Sequence, residues 1–383
     1  MDIEIPISLR ELNGNSSEVN IIVGENGQGK SQVLSELADD YWRSGKSVIA
    51  VATSVHDKFT YRNDKRYSLM RARARRSLPS KVIKDALLNI SSSKEVDLRR
   101  INRALRYVGY DGVIGIELGE FSPSMLYQTD ADIDSKLADI VSDFERYYSK
   151  ERAGPENVVW IDMEGYSLES LKEGEMLNII PYEKELKKIK VTSGIEIFLR
   201  KNNRTIPLLK ASSGELSLIT LIIYLVTRID DNTAIVIDEP ENSLHPQWQK
   251  EYTKTLLDIF SYYQPKLIMA THSPIVVSGA EASMPSSSEV SVFTASNGRL
   301  VKSSEGDMSI EDILLDMFGV VTPKSHSLSD RVVGLLNSLA EGKQNLNSVT
   351  VELEKLKDTV YDPRQTDLID RVRGMAQEIA ENV

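Results

Sequence analysis

The chain has 383 residues, of which 41% are hydrophobic and 27% charged, and these values predict a soluble globular protein of about two or three domains. The absence of cysteine excludes disulfides, thiolate zinc sites, iron–sulfur clusters and cysteine nucleophiles. A net charge of −11 argues against a surface that coats nucleic acid indiscriminately, because such binding works by neutralising phosphates.

Two further observations predict a cytoplasmic protein with no membrane partner. The longest apolar stretch, residues 216–226, is well short of the roughly 20 residues of a membrane span and is interrupted by Ser217 and Thr220. The sequence MDIEIPISLRELNG at the start lacks the basic and apolar regions of a secretory signal.

The first predicted strand, residues 19–23, runs into the sequence GENGQGKS and then into a helical pattern. This is a phosphate-binding P-loop in the strand–loop–helix context that it requires. Its backbone N–H groups would bind phosphate, Lys30 would reach the β and γ phosphates, and the Ser31 hydroxyl would ligate Mg²⁺. The residues that we expect to hold ATP here are Asn26, Gly27, Gln28, Gly29, Lys30 and Ser31.

A second strand, residues 47–52, precedes a long segment, residues 55–189, that mixes helical and β-like patterns without sustained heptads. This mixture predicts a compact α/β lobe rather than a coiled-coil arm. Two basic regions lie in it, Arg62–Arg76 and Arg99–Arg106, and residues 61–76 alone carry a charge of +6. Arginines beside tyrosines suit nucleic acid, but also a solvated or protein-docking face, and the sequence leaves both open.

Residues 190–209 predict a hairpin that turns at residues 201–203 and leads into an apolar helix. The N-terminus of this helix would be formed by Ser212, Ser213, Gly214 and Glu215, with Glu215 as a capping residue. The exposed N–H groups of such an N-terminus can bind an anion. Because the P-loop already serves this chain's own nucleotide, we expect them to bind the ATP of another subunit.

Two further apolar strands end on polar side chains. Residues 233–238 close on Asp238 and Glu239, at the edge where parallel sheets bind ligands. Asp238 would hold the Mg²⁺ shell through water, and Glu239 would act as general base or orient the attacking water. Residues 266–270 deliver His272, which lies 34 residues past Asp238, enough for a helical crossover back to the same edge. There His272 can contact the γ-phosphate.

The remaining sequence predicts a hairpin through Asn297 and Gly298, a helix over residues 310–318 and a charged helical tail. The tail carries Val349, Leu353, Leu356 and Val360 at helical spacing, which is more typical of a packing or partner-binding surface than of catalysis. The predicted domains are an ATPase core (1–54 and 190–282), an inserted lobe (55–189) and a C-terminal partner-binding region (283–383).

Taken together, the segments GENGQGKS, SSGE, IVIDEPE, ENSLHP and ATHSP resemble the ABC-type ATPases of the SMC, RecF and OLD branch. The resemblance covers residues 17–54 and 190–282. It implies an α/β fold: a P-loop ABC-type ATPase head with an inserted α/β lobe and a helical C-terminal appendage. In that family two subunits close head to tail around two ATP molecules, each with Mg²⁺.

The resemblance also implies roles for individual residues. Ser213 and Gly214 would act in trans on the partner's nucleotide, and His272 would be the switch histidine. The D-loop at the dimer seam would be formed by Asn242, Ser243 and Leu244, followed by His245 and Pro246 of the ENxLHP variant.

Two departures from the family pattern stand out. No glutamine follows the second strand, where the sequence has Thr53-Ser54-Val55-His56-Asp57, so the sequence lacks the residue that links Mg²⁺ to the inserted lobe in the family. The signature is SSGE rather than the LSGGQ of transporters, which favours the SMC and RecF side.

Within the branch, ENSLHP and VATSVHDKF resemble ATPases of bacterial anti-phage systems, such as the PtuA-like subunit of Septu and retron-associated modules. Those ATPases are paired with a separate nuclease, and this sequence shows no nuclease motif of its own. The expected function is a dimeric switch that hydrolyses ATP to ADP and phosphate, slowly or on stimulation by a partner, and regulates nucleic-acid sensing or a nuclease. A RecF-like DNA repair ATPase and a nucleotide-stabilised scaffold with little turnover remain alternatives.

Overall fold

The structure is a computed structural model. It describes residues 3–10, 18–54, 56–71, 77–89, 95–128, 135–150, 158–164, 176–283, 289–296, 298–303, 313–315, 326–358 and 363–382.

The strands of the described residues form two separate sheets. In chain order they are β1 (Glu18–Val23), β2 (Ser47–Ala52), β3 (Tyr67–Arg71), β4 (Val113–Gly119), β5 (Val159–Asp162), β6 (Gly194–Lys201), β7 (Arg204–Pro207), β8 (Thr233–Asp238), β9 (Lys266–Thr271), β10 (Glu289–Ser296) and β11 (Arg299–Lys302).

Twelve named helices accompany them in the same described residues. They are α1 (Ile7–Arg10), α2 (Lys30–Arg43), α3 (Leu78–Asn89), α4 (Glu95–Val108), α5 (Ser135–Lys150), α6 (Glu183–Lys188), α7 (Ser213–Val226), α8 (Pro246–Phe260), α9 (Pro274–Ser283), α10 (His326–Ala340), α11 (Leu346–Asp358) and α12 (Pro363–Asn382).

The larger sheet has the strand order β11-β10-β1-β9-β8-β2-β3 and is parallel except for β11. Its central strands are apolar on both faces because helices cover both. Along β8, Ile235 and Ile237 join the core on one face, whereas Ala234 and Val236 join the core on the other, where α2 packs. This two-residue alternation explains why the strand sequence is a continuous apolar run.

The register of the larger sheet brings four strand ends level. Asp238 lies opposite Ala270 of β9 and Ala52 of β2, and Val23 of β1 lies opposite Thr271 of β9. The residues that follow these strands therefore meet at one edge, which is where parallel sheets bind ligands.

The smaller sheet is antiparallel, with the order β5-β4-β6-β7. The predicted hairpin is confirmed as β6 and β7, and its turn residues Asn202 and Asn203 have φ values of 52° and 59°. Asparagine tolerates this left-handed conformation, and two such residues form the turn that suits a tight hairpin.

Helix α7 links the two parts of the molecule. It contacts α3 and α4 of the inserted segment, and its apolar residues from Leu218 onward are buried on all sides. A helix that is hydrophobic all round must be enclosed in this way, as the sequence predicts. None of the described helices is long and apolar enough to cross a membrane.

The last three helices, α10, α11 and α12, pack on one another around their own hydrophobic core. Val349, Leu353 and Leu356 point into this core, while Val360 lies outside the described residues. Of the helix predicted over residues 310–318, the described part is the helical segment 313–315. The C-terminal hairpin is confirmed by the antiparallel pairing of β10 and β11, with Asn297 outside the described residues.

These elements confirm the predicted fold class, an α/β P-loop core with an inserted α/β lobe and a helical C-terminal region. The sheets, however, cross the predicted domain limits. Strand β3 and the pair β10 and β11 join the larger sheet, and the hairpin of β6 and β7 joins the smaller one. With sheet membership as the criterion, we propose a core that includes β3, β10 and β11, and a lobe that includes residues 194–207.

Candidate functional site

The P-loop connects β1 to α2 at the edge where the strand ends meet. Gly27 and Gly29 have φ values of +85° and +82°, in the left-handed region that favours glycine. A Cβ atom on Gly29 would come within 2.5 Å of the Ile3 Cδ1 atom. Asn26 is exposed, and the Gln28 side chain accepts a hydrogen bond from the Glu25 N–H group across the loop. The loop is therefore shaped by its glycines and by its own side chains.

Lys30 is buried and folds back over the loop. Its Nζ atom donates hydrogen bonds to the carbonyl oxygens of Gly24 at 2.7 Å and Glu25 at 2.9 Å. Burial lowers the pKa of Lys30, and the carboxylates of Glu239 and Asp238 oppose that effect. A phosphate group on the loop would give this ammonium a full counter-charge in place of two carbonyl dipoles.

Asp238 is only 1% exposed, and among the residues that the structure describes neither of its carboxylate oxygens has a hydrogen-bond partner of ordinary geometry. Burial raises the pKa of Asp238 to about 6; the neighbouring Ser31 hydroxyl lowers it and the Glu239 carboxylate adds to the rise. A buried carboxylate without partners is costly, and a cation beside it would remove that cost. The hydroxyl and the carboxylate are hard oxygen ligands of the kind that Mg²⁺ prefers, so these two residues fit the ion.

Glu239 directly follows β8 in a left-handed conformation, with φ at 55°. Its N–H group donates to the Ala270 carbonyl at 2.9 Å, and its carboxylate accepts a hydrogen bond from the Asn242 Nδ2 atom at 2.7 Å. For a residue other than glycine this backbone is strained, and such strain persists where the surrounding bonds enforce it. The turn thus fixes the direction of the Glu239 side chain.

Thr53 completes this turn at the end of β2, where the sequence lacks the expected glutamine. Its Oγ1 atom lies 2.9 Å from the Asp238 carbonyl oxygen and 2.5 Å from that of Glu239, and it accepts a hydrogen bond from the Asn242 Nδ2 atom at 3.1 Å. The sequence reasoning missed Thr53 as a functional candidate. The signal that could have found it is a polar residue directly after a buried strand of the same sheet.

His272 follows β9 and is held by Glu241, a second residue that the sequence reasoning missed. One Glu241 carboxylate oxygen lies 2.8 Å from the His272 backbone nitrogen and 2.9 Å from its Nδ1 atom. This side-chain hydrogen bond to Glu241 raises the pKa of His272. Burial raises the pKa of Glu241, but the hydrogen bonds from His272 outweigh it, and the net direction is downward.

The D-loop turns from Glu241 into α8. Ser243 has a φ value of 66°, and the Leu244 N–H group donates to the Glu241 carbonyl at 3.0 Å. His245 caps α8 through its Nδ1 atom, which accepts from the Gln247 N–H group, and Pro246 is the first helical residue. A proline there costs no hydrogen bond. His245 therefore has a structural role in this chain.

The segment SSGE begins α7 as the sequence predicts. Ser212 is the N-cap, and its side chain and that of Glu215 form a reciprocal capping box. The Glu215 carboxylate also accepts hydrogen bonds from the Tyr110 hydroxyl at 3.0 Å and the Lys201 Nζ atom at 3.2 Å. Although burial raises the pKa of Glu215, these bonds hold it below its ordinary value.

Ser212 and Ser213 are exposed, whereas Gly214 is buried against the D-loop. A Cβ atom on Gly214 would come within 2.6 Å of the Ser243 carbonyl oxygen. In the part of the chain that the structure describes, no hydrogen bond joins residues 212–215 to the P-loop. The structure thus brings the P-loop, Asp238, Glu239 and His272 together, and leaves SSGE outside that group.

Most of the described basic residues in these two regions form ion pairs with acidic side chains. In the first region the ion pairs are Arg62 with Asp39, Arg66 with Asp64 and Arg71 with Asp57. Residues 72–76 lie outside the described residues. In the second region Arg100 is buried against Asp97 and Tyr263, and Arg106 pairs with Glu164.

A family model described as "AAA_21: AAA domain, putative AbiEii toxin, Type IV TA system" matches residues 19–278. Protein ea59 of Escherichia phage lambda is 36% identical over 70 residues, which are 18% of this chain and only 13% of that protein's length.

Two solved structures are similar to the chain at low identity. One is cbiO1 from Clostridium perfringens, part of the ABC transporter complex cbiONQ, with 14% identity, a TM-score of 0.29 and coverage of 76% of this chain and 78% of that chain. The other is the Smc head domain derived from Pyrococcus furiosus, with an extended coiled coil and bound to the C-terminal domain of ScpA. It has 13% identity, a TM-score of 0.30 and coverage of 76% and 91%.

Proposed function

The chain belongs to the AAA_21 family of AAA domains, and on that premise we propose that it binds ATP with Mg²⁺ and hydrolyses it to ADP and phosphate. One observation carries the proposal: within the described residues the buried Asp238 carboxylate has no hydrogen-bond partner of ordinary geometry, and it lies beside Ser31 and Lys30 of a P-loop. A structural aspartate would be paired, whereas one that awaits a metal nucleotide need not be.

The proposed roles follow from position. Lys30 would neutralise charge on the β and γ phosphates, while Ser31 and Asp238 would hold Mg²⁺. Mg²⁺, when bound, offsets negative charge on the phosphate oxygens. Glu239, oriented by Asn242 and by its strained backbone, accepts a proton from the attacking water.

We further propose that the site is completed by a second copy of the chain. The exposed N-terminus of α7 at Ser212 and Ser213 offers N–H groups to an anion, yet it is not bonded to its own P-loop within the described residues. Glu215 would serve this site as the predicted cap of α7 and not as a nucleotide contact, because its carboxylate is engaged by Ser212, Tyr110 and Lys201 of the same chain. Ser213 is therefore the residue that we propose to contact the partner's nucleotide.

The nucleotide state would be passed to a partner, which we propose to be a separate nuclease of an anti-phage system. The C-terminal helices support such a role, because they pack around their own core and leave apolar side chains exposed. These side chains are Val333, Val351, Leu368 and Met375. Whether the output is nuclease control or DNA repair is decided by which partner these helices bind.

Nucleic acid, if bound, would lie in a groove of about 470 Å³ between α4 and α8 rather than on residues 62–71. Three exposed cations, Arg103, Lys250 and Lys254, line this groove together with the carboxylates of Glu251 and Asp258. Lys250 and Lys254 are four residues apart on α8, so they repel each other, and a bound phosphate would offset that repulsion.

The groove is tested by charge reversal. Arg103→Glu with Lys254→Glu should weaken binding of a fluorescent single-stranded oligonucleotide at least about 10-fold and reduce its salt dependence, because each lost cation releases one counterion fewer. Lys188→Glu, at an exposed position of α6, is the control and should bind as the wild type does. Binding that is insensitive to salt, or unchanged in the double variant, would count against the groove.

Hydrolysis is tested by phosphate release from wild type, Lys30→Ala and Glu239→Gln. Glu239→Gln should lower kcat at least about 100-fold while ATP remains bound and an ATP-loaded dimer accumulates. Lys30→Ala should lose nucleotide binding. A wild type that binds ATP without turnover, alone and with candidate partners, would instead favour the scaffold.

A further inference from the structure

His272 is anchored at two points by one oxygen of Glu241. The backbone N–H group and the Nδ1 atom of His272 both lie within 2.9 Å of that oxygen. Two bonds to one acceptor fix both the chain direction and the ring orientation of the histidine, which a single bond would leave free to rotate.

The two side chains differ in accessibility. The Glu241 side chain is 6% exposed and that of His272 is 44% exposed. Because Nδ1 contacts Glu241, Nε2 is the ring nitrogen left on the solvent-accessible side. Nε2 has no partner within the described residues. The arrangement is that of a buried orienting carboxylate behind an accessible imidazole.

The accessible side faces the nucleotide site. His272 directly follows β9, whose Ala270 lies opposite Asp238 and accepts a hydrogen bond from the Glu239 N–H group. The charged groups that act on the His272 ring, besides Glu241, are Glu239 after β8 and Lys30 at the start of α2. The ring is thus within electrostatic reach of Glu239 and Lys30, two groups that we propose to act at the γ-phosphate.

We infer that Glu241 is a positioning residue, which fixes the His272 ring through its backbone and Nδ1 atom so that Nε2 points to the γ-phosphate of bound ATP. The inference rests on the proposed ATPase function, but that function does not by itself require a role for Glu241. Glu241 itself touches no nucleotide. Its effect should therefore pass entirely through His272.

A double-mutant cycle separates this role from a general structural one. Glu241→Ala and His272→Ala should each lower kcat about 10-fold or more, with the Kd of a non-hydrolysable ATP analogue unchanged within about twofold. The double variant should be no slower than His272→Ala. Glu241→Gln keeps an acceptor oxygen and should retain more activity than Glu241→Ala, while Glu352→Gln on α11 is the control and should match wild type.

Wild-type activity in Glu241→Ala, or losses that simply add in the double variant, would overturn the inference. A second readout needs no turnover: imidazole NMR with ¹⁵N-histidine, with the His272 signal identified by its absence in His272→Ala. The pKa of His272 should lie above its ordinary value in wild type and fall in Glu241→Ala, since the anionic partner that stabilises the imidazolium is lost. An unchanged pKa would show that the contact is not made in solution.

The two failures are distinguishable. A wild type without turnover would overturn the proposed function, and the NMR titration would still decide whether Glu241 holds His272. Turnover that is lost in Glu239→Gln but not in Glu241→Ala would leave the ATPase in place and overturn the inference alone.

Discussion

At the level of single residues, the site concentrates buried carboxylate oxygens that lack hydrogen-bond partners. Both carboxylate oxygens of Asp238 and one of Glu241 are buried and form no hydrogen bond of ordinary geometry within the described part of the chain. Such groups cost folding free energy, and proteins retain them where function requires a charge. The cost at Asp238 is visible in its pKa, which burial raises to about 6.

Replacing Asp238 by Asn should therefore stabilise the protein while removing Mg²⁺-dependent hydrolysis. The pKa of this carboxyl is higher in the folded chain than in the unfolded chain, so its ionisation favours unfolding. The resulting loss of unfolding free energy begins above about pH 4 and is complete above about pH 6. With a metal chelator present, the free energy of unfolding measured in urea should be higher in Asp238→Asn than in wild type, by about 1–3 kcal/mol at pH 8 and by less at pH 5. The exposed Asp231→Asn is the control; a variant less stable than wild type at pH 8 would refute the argument.

At the level of elements, the N-terminus of α7 joins the two sheets. Glu215 belongs to its first turn, and the partners Tyr110 and Lys201 belong to the inserted lobe, with the Lys201 ammonium 5.0 Å from the Tyr110 ring centroid. A movement of the inserted lobe would thereby reach Ser213 through the first turn of α7. This contact can serve the coupling for which the glutamine after β2 is missing.

Ser212→Ala should cost about 1 kcal/mol of unfolding free energy, because it removes the N-cap acceptor for the Glu215 N–H group. Ser217→Ala, one turn further along the same helix, is the matched control and should be neutral or slightly stabilising, since alanine is the better helix former. Equal losses in both variants would show that the cap contributes nothing specific.

The elements show why some parts of the site can be predicted from sequence and others cannot. Residues 24–31 form one contiguous motif, and the apolar runs before Asp238 and His272 mark buried parallel strands, so their meeting at one edge follows from topology. Thr53 and Glu241 act through contacts across the sheet. Their roles depend on which strands are neighbours and on the left-handed turn at Glu239, which no local spacing reveals.

The predicted domain limits rest on local sequence patterns, which do not reveal contacts between distant strands. Residues 53–66 separate strand β3 from the second predicted strand, and nothing in the sequence of β3 distinguishes an edge strand of the larger sheet from a strand of the inserted lobe. The hairpin of β6 and β7 was predicted as a hairpin, but its pairing with β4 is a long-range contact. Sheet membership is decided by such contacts.

At the level of the whole molecule, the proposed chemistry needs two chains. The P-loop and its acids lie at one edge of the larger sheet, while Ser213 begins a separate helix with its N-terminus exposed. In a two-fold assembly each site would combine the P-loop of one copy with the α7 N-terminus of the other.

Mixing two inactive variants tests this account most directly. Lys30→Ala damages the P-loop and Ser213→Ala removes the serine proposed to contact the facing nucleotide, so each homodimer should hydrolyse ATP at least about 10-fold more slowly than wild type. A mixed dimer contains one site with both halves intact. The account predicts that the mixture regains activity well above either variant alone; a mixture as inactive as its components, or a Ser213→Ala variant with wild-type turnover, would contradict it.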